Sequence, residues 1–159
     1  MILIAVGALI GTWIAGGVVP TLIYYGLEFI HPSIFLLATL IICSITSVAT
    51  GTSWGTVGTA GIAMMAIGEG LGLPLPLVAG AVLSGAYFGD KLSPLSDSTV
   101  LASSLSKVEV ITHVRAMLYL SIPAYLITAV LFTITGFMYG SRNVDLEKLN
   151  FESFFAEHV

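Results

Sequence analysis

Charge and cysteine are scarce in this sequence. Asp, Glu, Lys and Arg make up only 9% of its 159 residues, whereas they make up about 25% of a typical soluble domain. A soluble enzyme and a disordered tail are therefore excluded, because each needs far more charged side chains. The formal net charge of −4 leaves no basic surface for nucleic acid. Cys43 is the single cysteine, which excludes an internal disulfide and a Cys/His metal cluster.

Apolar residues are abundant instead. They form 57% of the chain, and the mean hydropathy is +1.02. These values predict an all-α integral membrane protein surrounded by the lipid bilayer. A spanning helix needs about 20 apolar residues, so the chain has room for about four to six passes, few for a complete transporter. Residues 1–27 carry no charge, which favours an internal piece of a longer membrane protein over a true N-terminus.

The apolar segments define a membrane domain over residues 1–140 and a polar tail, interfacial or connecting, over residues 141–159. Four membrane segments are predicted: a span at 2–25, a re-entrant hairpin at 33–67, a broken helix at 77–105 and a span at 116–139. The hairpin is predicted because two short apolar runs surround a Gly/Thr/Ser tip, and non-helical backbone at membrane depth must be covered by protein or water. The helix break is predicted because the polar residues 89–99 interrupt an apolar stretch.

Two weaker patterns concern helix packing and orientation. Gly85 and Gly89 are four residues apart, which predicts a close helix–helix contact. A polar loop is predicted over residues 106–115, and its Lys107 and Arg115 make it the best cytoplasmic candidate under the positive-inside rule. Arg142 and Lys148, one span further on, favour the opposite orientation.

Asp90 and Asp97 are the sharpest candidates for chemistry. Both lie in an otherwise apolar stretch, where a carboxylate costs several kcal/mol unless it is paired, hydrated or protonated. Carboxylate, hydroxyl and carbonyl oxygens are the ligands of hard cations such as Na⁺. The pattern predicts a Na⁺ and proton site formed by both carboxylates and by the hydroxyl groups nearby, those of Ser93, Ser96, Ser98 and Thr99.

Such a carboxylate can hold a proton or a Na⁺ but not both, and this competition is the basis of cation/proton antiport. Two simpler interpretations stay open. In one, Asp90 pairs with Lys91 in a solvated loop. In the other, Asp97 caps the helix that follows.

The tip of the predicted hairpin is the second candidate. Its side chains supply hydroxyl groups and one indole, from Thr50, Thr52, Ser53, Trp54 and Thr56. Gly51 and Gly55 also form a GxxxG pair, which suits helix packing, and an indole also suits an anchor at the membrane interface. From the residues alone, a site and a packing face are equally well supported.

Several motifs occur together in this chain. They are Gly11-Thr12-Trp13, Ala49-Thr50-Gly51-Thr52-Ser53-Trp54-Gly55-Thr56, Ser84-Gly85-Ala86-Tyr87-Phe88-Gly89-Asp90 and Ser93-Pro94-Leu95-Ser96-Asp97-Ser98. With them the chain resembles the NhaC family of Na⁺/H⁺ antiporters from about Gly11 to Gly140. It departs from the family's pattern at Thr112, where an acidic residue is common, and at Ser98, where threonine is frequent.

The resemblance implies a multi-pass secondary transporter of the inner membrane, built from inverted repeats of which this chain covers one. It implies exchange of Na⁺ for H⁺, with no cofactor besides these transported ions. In the implied fold, the hairpin tip at 50–56 and the helix break at 90–99 meet at the ion site. The missing partner is then the second half of the transporter or a second copy of this chain.

Two other functions stay open. The first is a Na⁺- or H⁺-coupled exchanger of organic acids such as malate and lactate, which some relatives in the family transport. Lys91 is the only cation near the centre of the chain that could bind a substrate carboxylate. The second is a transport-inactive, truncated membrane protein.

Overall fold

The chain folds into helices. The computed structural model describes residues 8, 11, 12, 15–17 and 32–140, and every regular element in them is helical. From Pro32 onward these elements are α1 (Pro32–Thr50), α2 (Ser53–Thr56), a π-helical segment (Val57–Gly61), α3 (Ile62–Gly70), α4 (Leu75–Leu92), α5 (Asp97–Leu105) and α6 (Val110–Gly140). The predicted all-α class is confirmed. The predicted span at 2–25 lies almost entirely outside the described residues, and the tail at 141–159 lies wholly outside them.

Two of the described helices are long and apolar enough to cross a membrane, Ser33–Thr50 in α1 and Val110–Tyr139 in α6. At about 1.5 Å per residue the first is roughly 27 Å long, close to the hydrocarbon thickness of about 30 Å. Gly136 is the one buried residue among those described in this α6 segment, and large side chains such as Tyr119 and Leu120 are exposed on it. Lipid or another membrane helix can cover this apolar surface.

The connection between α5 and α6 is shorter than the sequence predicted. The prediction of a polar loop at 106–115 is wrong in its second part. Helix α6 begins at Val110, so His113 and Arg115 lie in the helix and not in the loop. Lys107 adopts the left-handed conformation, with φ of +54°, and the next amide donates to the carbonyl oxygen of Ser103 at 3.1 Å. This geometry ends α5 abruptly and leaves only a short connection.

Helices α1 and α2 are joined by a tight reversal at Gly51 and Thr52. Gly51 has a φ of +69°, and a Cβ built there would lie 2.8 Å from the Cβ of Leu95. Thr52 caps α2, because its Oγ1 accepts a hydrogen bond from the amide of Gly55 at 3.2 Å. The reversal therefore places the end of α1 and the start of α2 against the chain around Leu95.

The two arms of this helical hairpin are longer than the short runs that the sequence predicted. The first arm, α1, has 19 residues. The second arm continues through α2, the π-helical segment and α3 without a gap, over residues 53–70. The arms and α4 share one apolar core, formed by Phe35, Leu36, Ile67, Leu71, Leu73, Val78 and Ala81.

Helix α4 approaches α1 very closely along a line of glycines. A Cβ built at Gly85 or Gly89 would collide with a carbonyl oxygen of α1. The approach also allows Ser47 Oγ to donate to the carbonyl oxygen of Ala86 at 2.6 Å. The packing role predicted for the Gly85/Gly89 pair is confirmed, and it brings the end of α4 next to the end of α1.

Gly89→Ala is expected to destabilise the protein by about 1–3 kcal/mol, the usual effect of overpacking. Its Cβ would lie 2.6 Å from the Cβ of Ser47, and neither helix can move away without breaking the contact. Gly80→Ala on the same helix is the matched control, because the atom nearest to its Cβ, from Phe132, is 3.5 Å away. Thermal unfolding of the two variants in detergent checks this, and equal midpoints would contradict the close packing.

Candidate functional site

The break between α4 and α5 is shorter than predicted and covers residues 93–96. The sequence predicted an interruption over 89–99. Pro94 explains the difference, because a proline drives the residue before it out of helical geometry and leaves earlier residues helical. Ser93 is accordingly extended, with φ −78° and ψ 126°. Asp90 therefore lies in the last turn of α4 rather than in the break.

The Asp90 carboxylate is surrounded by hydroxyl groups. Its Oδ1 accepts a hydrogen bond from Ser96 Oγ at 2.8 Å, and its Oδ2 accepts longer ones from Ser53 Oγ and Ser98 Oγ, both at 3.5 Å. We call these three side chains with Asp90 the hydroxyl cluster. Asp90 is half-buried, and within residues 32–140 its partners are hydroxyls and not the ammonium of Lys91. The interpretation in which Lys91 neutralises Asp90 is therefore not what the structure shows.

The hydroxyl groups of Ser93 and Thr99 bond to backbone and hold the break in place. Ser93 is fully buried, and its Oγ donates to the carbonyl oxygen of Val48 at 2.8 Å, which ties the break to α1. Thr99 Oγ1 donates to the carbonyl oxygens of Asp90 at 3.4 Å and Lys91 at 3.3 Å. The last carbonyl oxygens of a helix have no hydrogen-bond partner within the helix. The hydroxyls of Ser93 and Thr99 donate to such oxygens, which apolar surroundings would otherwise leave unpaired.

The hairpin tip touches the break and the cluster. Ser53 is buried, and its hydroxyl reaches Asp90 across a sequence separation of 37 residues. Gly51 packs against Leu95, which belongs to the break. The two segments that the resemblance placed at the ion site are therefore in contact.

The other tip residues form bonds within the hairpin or lie at the surface. Thr50 Oγ1 donates to the carbonyl oxygen of Thr46, and Thr56 Oγ1 donates to that of Thr52, each at 2.9 Å. The hydroxyl groups of Thr50 and Thr56 are 3.4 Å apart. Trp54 is 70% exposed. These residues shape the tip, and Ser53 alone of the predicted tip set contacts the carboxylate within the described chain.

Asp97 lies at the start of α5 with its side chain exposed. The interpretation that Asp97 caps α5 is wrong by one residue, because Ser96 occupies the cap position. The Ser96 hydroxyl makes no cap bond to α5 and bonds to Asp90 instead. A carboxylate in the first turn still favours the helix, since the positive end of the helix dipole lies there. Within residues 32–140 no hydrogen bond joins Asp97 to the hydroxyl cluster.

The hydroxyl cluster offers oxygen ligands only. Carboxylate and hydroxyl oxygens suit a hard cation such as Na⁺, and they are a poor set for transition metals. Across the part of the chain that the structure describes, no group of three or more His, Cys, Asp and Glu side chains could hold a metal ion. The negative charge of Asp90 therefore suits either a small hard cation or a proton.

Sequence reasoning missed a second polar surface, between α4 and α6. There Phe88 stacks on Tyr125, with ring centres 3.9 Å apart, and Lys91 lines a pocket beside them. The sequence did contain a signal for this surface. On both helices polar residues recur seven positions apart, which is about two helical turns and places them on one face.

Comparison with known proteins relates the chain to transporters. The model of the Na⁺/H⁺ antiporter family matches residues 85–153. The chain is 87% identical, over 95% of its length, to the malate-2H⁺/Na⁺-lactate antiporter of Bacillus subtilis strain 168 and covers 32% of that protein. It is 47% identical over 94% of its length to an uncharacterized Na⁺/H⁺ antiporter of Haemophilus influenzae, of which it covers 32%. It is 48% identical over 85% of its length to the Na⁺/H⁺ antiporter NhaC of Alkalihalophilus pseudofirmus, of which it covers 29%.

The chain thus spans about a third of the length of the curated relatives it matches. No solved structure matches it. The family match begins at Gly85 and so includes Asp90, Lys91 and the whole break.

Proposed function

Because the chain is a sequence relative of the Na⁺/H⁺ antiporters, NhaC proteins among them, we propose that it carries the ion-binding segment of a secondary transporter that exchanges Na⁺ for H⁺. These relatives are transporters rather than enzymes. One observation supports the proposal above all. Asp90 lies beside a helix break with hydroxyl partners and, within residues 32–140, no basic partner.

In this proposal Asp90 binds one ion at a time. The ionised carboxylate and the hydroxyl oxygens of Ser53, Ser96 and Ser98 hold Na⁺ on one side of the membrane. On the other side a proton adds to the carboxylate, removes its negative charge and releases Na⁺. Since both ions need the same oxygens, each leaves when the other binds, and no cofactor besides the transported ions takes part.

Asp97 is proposed as the second carboxylate of the site. Its exposed position at the start of α5 suits the attraction of cations toward the cluster, because a negative charge beside an entrance raises the local cation concentration. We assign it a smaller share of the binding than Asp90, since within residues 32–140 its carboxylate forms no hydrogen bond with the hydroxyl cluster.

The membrane arrangement is proposed from the contact between the tip and the break. Non-helical backbone at membrane depth must be shielded from lipid by protein or water. Residues 51–52 and residues 93–96 are both non-helical, and each segment shields the other. The hairpin is then re-entrant, and α4 and α5 are the halves of a discontinuous helix in a multi-pass protein of the inner membrane. Such a repeat needs a second one, from another half of the transporter or from another copy of this chain.

The proposal predicts competition between protons and Na⁺. A fall in pH is expected to raise the half-saturating Na⁺ concentration, by at most about tenfold per pH unit, because one proton must leave for each Na⁺ bound. Everted vesicles carrying the full-length protein allow the measurement, as collapse of a respiration-driven pH gradient on addition of Na⁺, with K⁺ as the control. A half-saturating concentration that is independent of pH would contradict a shared site.

The second candidate function is Na⁺- or H⁺-coupled exchange of organic acids. The high identity with a malate-2H⁺/Na⁺-lactate antiporter favours it. Both functions use Asp90 for the cation, and they differ in whether an organic acid moves as well. Uptake of labelled malate into vesicles preloaded with lactate supports organic-acid exchange. Its absence beside robust Na⁺/H⁺ exchange supports the first function.

Vesicles that carry the 159-residue chain alone test whether this segment transports ions by itself. Na⁺-induced collapse that is lost in Asp90→Asn would mean that one repeat suffices, as an oligomer. No collapse despite membrane insertion would mean that the chain by itself is transport-inactive and needs the rest of the transporter.

A further inference from the structure

A pocket of about 190 Å³, with several polar side chains in its lining, lies between α4 and α6. Ser84, Tyr87 and Lys91 line it from α4, and Ser121, Tyr125 and Thr128 line it from α6; we call it the α4–α6 pocket. On each helix the outer two of these residues are seven positions apart, close to two turns of about 3.6 residues. At about 30 Å³ per water molecule the pocket has room for roughly six waters, or for one small organic molecule.

The charge of the α4–α6 pocket favours an anion. Lys91 is the one charged side chain that lines it, and within residues 32–140 it forms no ion pair. The side-chain hydroxyls of Ser84 and Ser121 likewise form no hydrogen bond within the described chain, so both can donate to a ligand. Thr128 is occupied, because its Oγ1 donates to the carbonyl oxygen of Ala124 at 2.9 Å. An ammonium with free hydroxyl donors and no acidic neighbour in the lining suits a carboxylate.

The wall of the pocket favours an organic anion over an inorganic one. Phe88 and Tyr125 stack there, and the Tyr125 hydroxyl lies 3.0 Å from Ser44 Oγ. Ser44 Oγ donates its own proton to the carbonyl oxygen of Leu40 at 2.7 Å, so it accepts from Tyr125 and fixes that ring. A fixed aromatic surface can cover a carbon skeleton, which an inorganic anion lacks.

We propose that the α4–α6 pocket binds a small organic carboxylate, with the Lys91 ammonium on the carboxylate group and the Ser84 and Ser121 hydroxyls on its other oxygen atoms. This inference rests on the proposed transport function only for its coupling to the cation. Asp90 and Lys91 are adjacent, and Thr99 Oγ1 bonds to the carbonyl oxygens of both. A Na⁺ or proton at Asp90 removes a negative charge next to the pocket, so cation and carboxylate promote each other's binding.

Equilibrium binding of radiolabelled lactate, malate and succinate to the purified full-length protein tests the proposal. Lys91→Gln is expected to weaken the tightest of these by about tenfold or more, the loss of a hydrogen bond to a charged group. Lys91→Arg keeps the charge and should retain most of the binding. Lys107→Gln, in the connection between α5 and α6, is the matched control and should bind as the wild type does. The double variant Ser84→Ala/Ser121→Ala should lose any preference for malate over succinate, which lacks the hydroxyl group.

Three results would overturn the proposal: wild-type protein that binds none of the three acids, Lys91→Gln that binds as tightly as the wild type, or displacement of the acid by equimolar phosphate. Failure of the cation proposal is separate, because Na⁺/H⁺ exchange is measured without an organic acid. If the wild-type protein binds an organic acid in a way that depends on Lys91 but shows no Na⁺/H⁺ exchange, the cation proposal is contradicted and the assignment of the α4–α6 pocket still holds.

Discussion

Asp90→Asn in the full-length transporter is expected to lower Na⁺-dependent proton exchange by about a hundredfold or more. The asparagine amide has nearly the same shape and still accepts from Ser96, but it carries no charge and takes up no proton. Loss of one partner of a desolvated charge pair costs about 3–5 kcal/mol, and each 1.4 kcal/mol is a factor of about ten. The measurement is the Na⁺-induced collapse of a pH gradient in vesicles with matched amounts of protein.

Two further variants test whether the loss of exchange is specific to the carboxylate of Asp90. Asp97→Asn is expected to raise the half-saturating Na⁺ concentration by only about threefold, because an exposed charge acts through screened attraction. Glu109→Gln, an exposed acid in the connection between α5 and α6, is the control for charge removal and should leave exchange unchanged. An active Asp90→Asn beside an inactive Asp97→Asn would move the ion site to the start of α5.

Gly51→Ala is expected to have the second largest effect, a loss of most transport with the protein still inserted. Its φ of +69° costs an L-residue about 1–2 kcal/mol. The new Cβ would lie 2.8 Å from the Cβ and 2.9 Å from the carbonyl carbon of Leu95, so the tip and the break must separate and Ser53 must move from Asp90. Exchange rate and the elution profile in size-exclusion chromatography are measured together.

Three companion variants identify the cause of the Gly51→Ala effect. Leu95→Ala added to Gly51→Ala should not restore transport, since alanine keeps the offending Cβ. Gly51→Asn tolerates the left-handed backbone better but keeps the clash, so it should be impaired as well. Gly80→Ala should behave as the wild type. Normal exchange by Gly51→Ala would mean that transport does not require the contact between the tip and the break.

The helical class could be predicted from composition, because a chain with so few charges cannot cover a soluble surface. The break could be predicted as well, since Pro94 and its polar neighbours interrupt an apolar run. The first and last residues of the break could not be predicted. Asp90 lies inside the helix because Pro94 makes only the residue directly before it extended, and the polar residues from 89 onward suggested an earlier end. The α5–α6 loop was mispredicted because nothing in the sequence marks Lys107 as a residue with positive φ, a conformation that usually selects glycine.

The partners of Asp90 could be predicted only in part. Ser96 and Ser98 are close in sequence, and their hydroxyls were expected near a carboxylate. Ser53 is 37 positions away, and its place beside Asp90 depends on the approach of α4 to α1 at Gly89. Periodicity does not reveal such long-range contacts, and the resemblance indicated only the two segments involved. The shared role expected of Asp90 and Asp97 stays a prediction.

The hydroxyl groups around Asp90 have a property that an ammonium or an amide N–H lacks, because each carries lone pairs beside its proton. A turn about the Cβ–Oγ bond of Ser53, Ser96 or Ser98 exchanges a donor for an acceptor while the oxygen stays in place. The same oxygens can therefore point protons at a bare carboxylate and lone pairs at a cation. Around the carboxylate itself, the change from one occupant to the other then needs only side-chain torsions, which are fast in proteins.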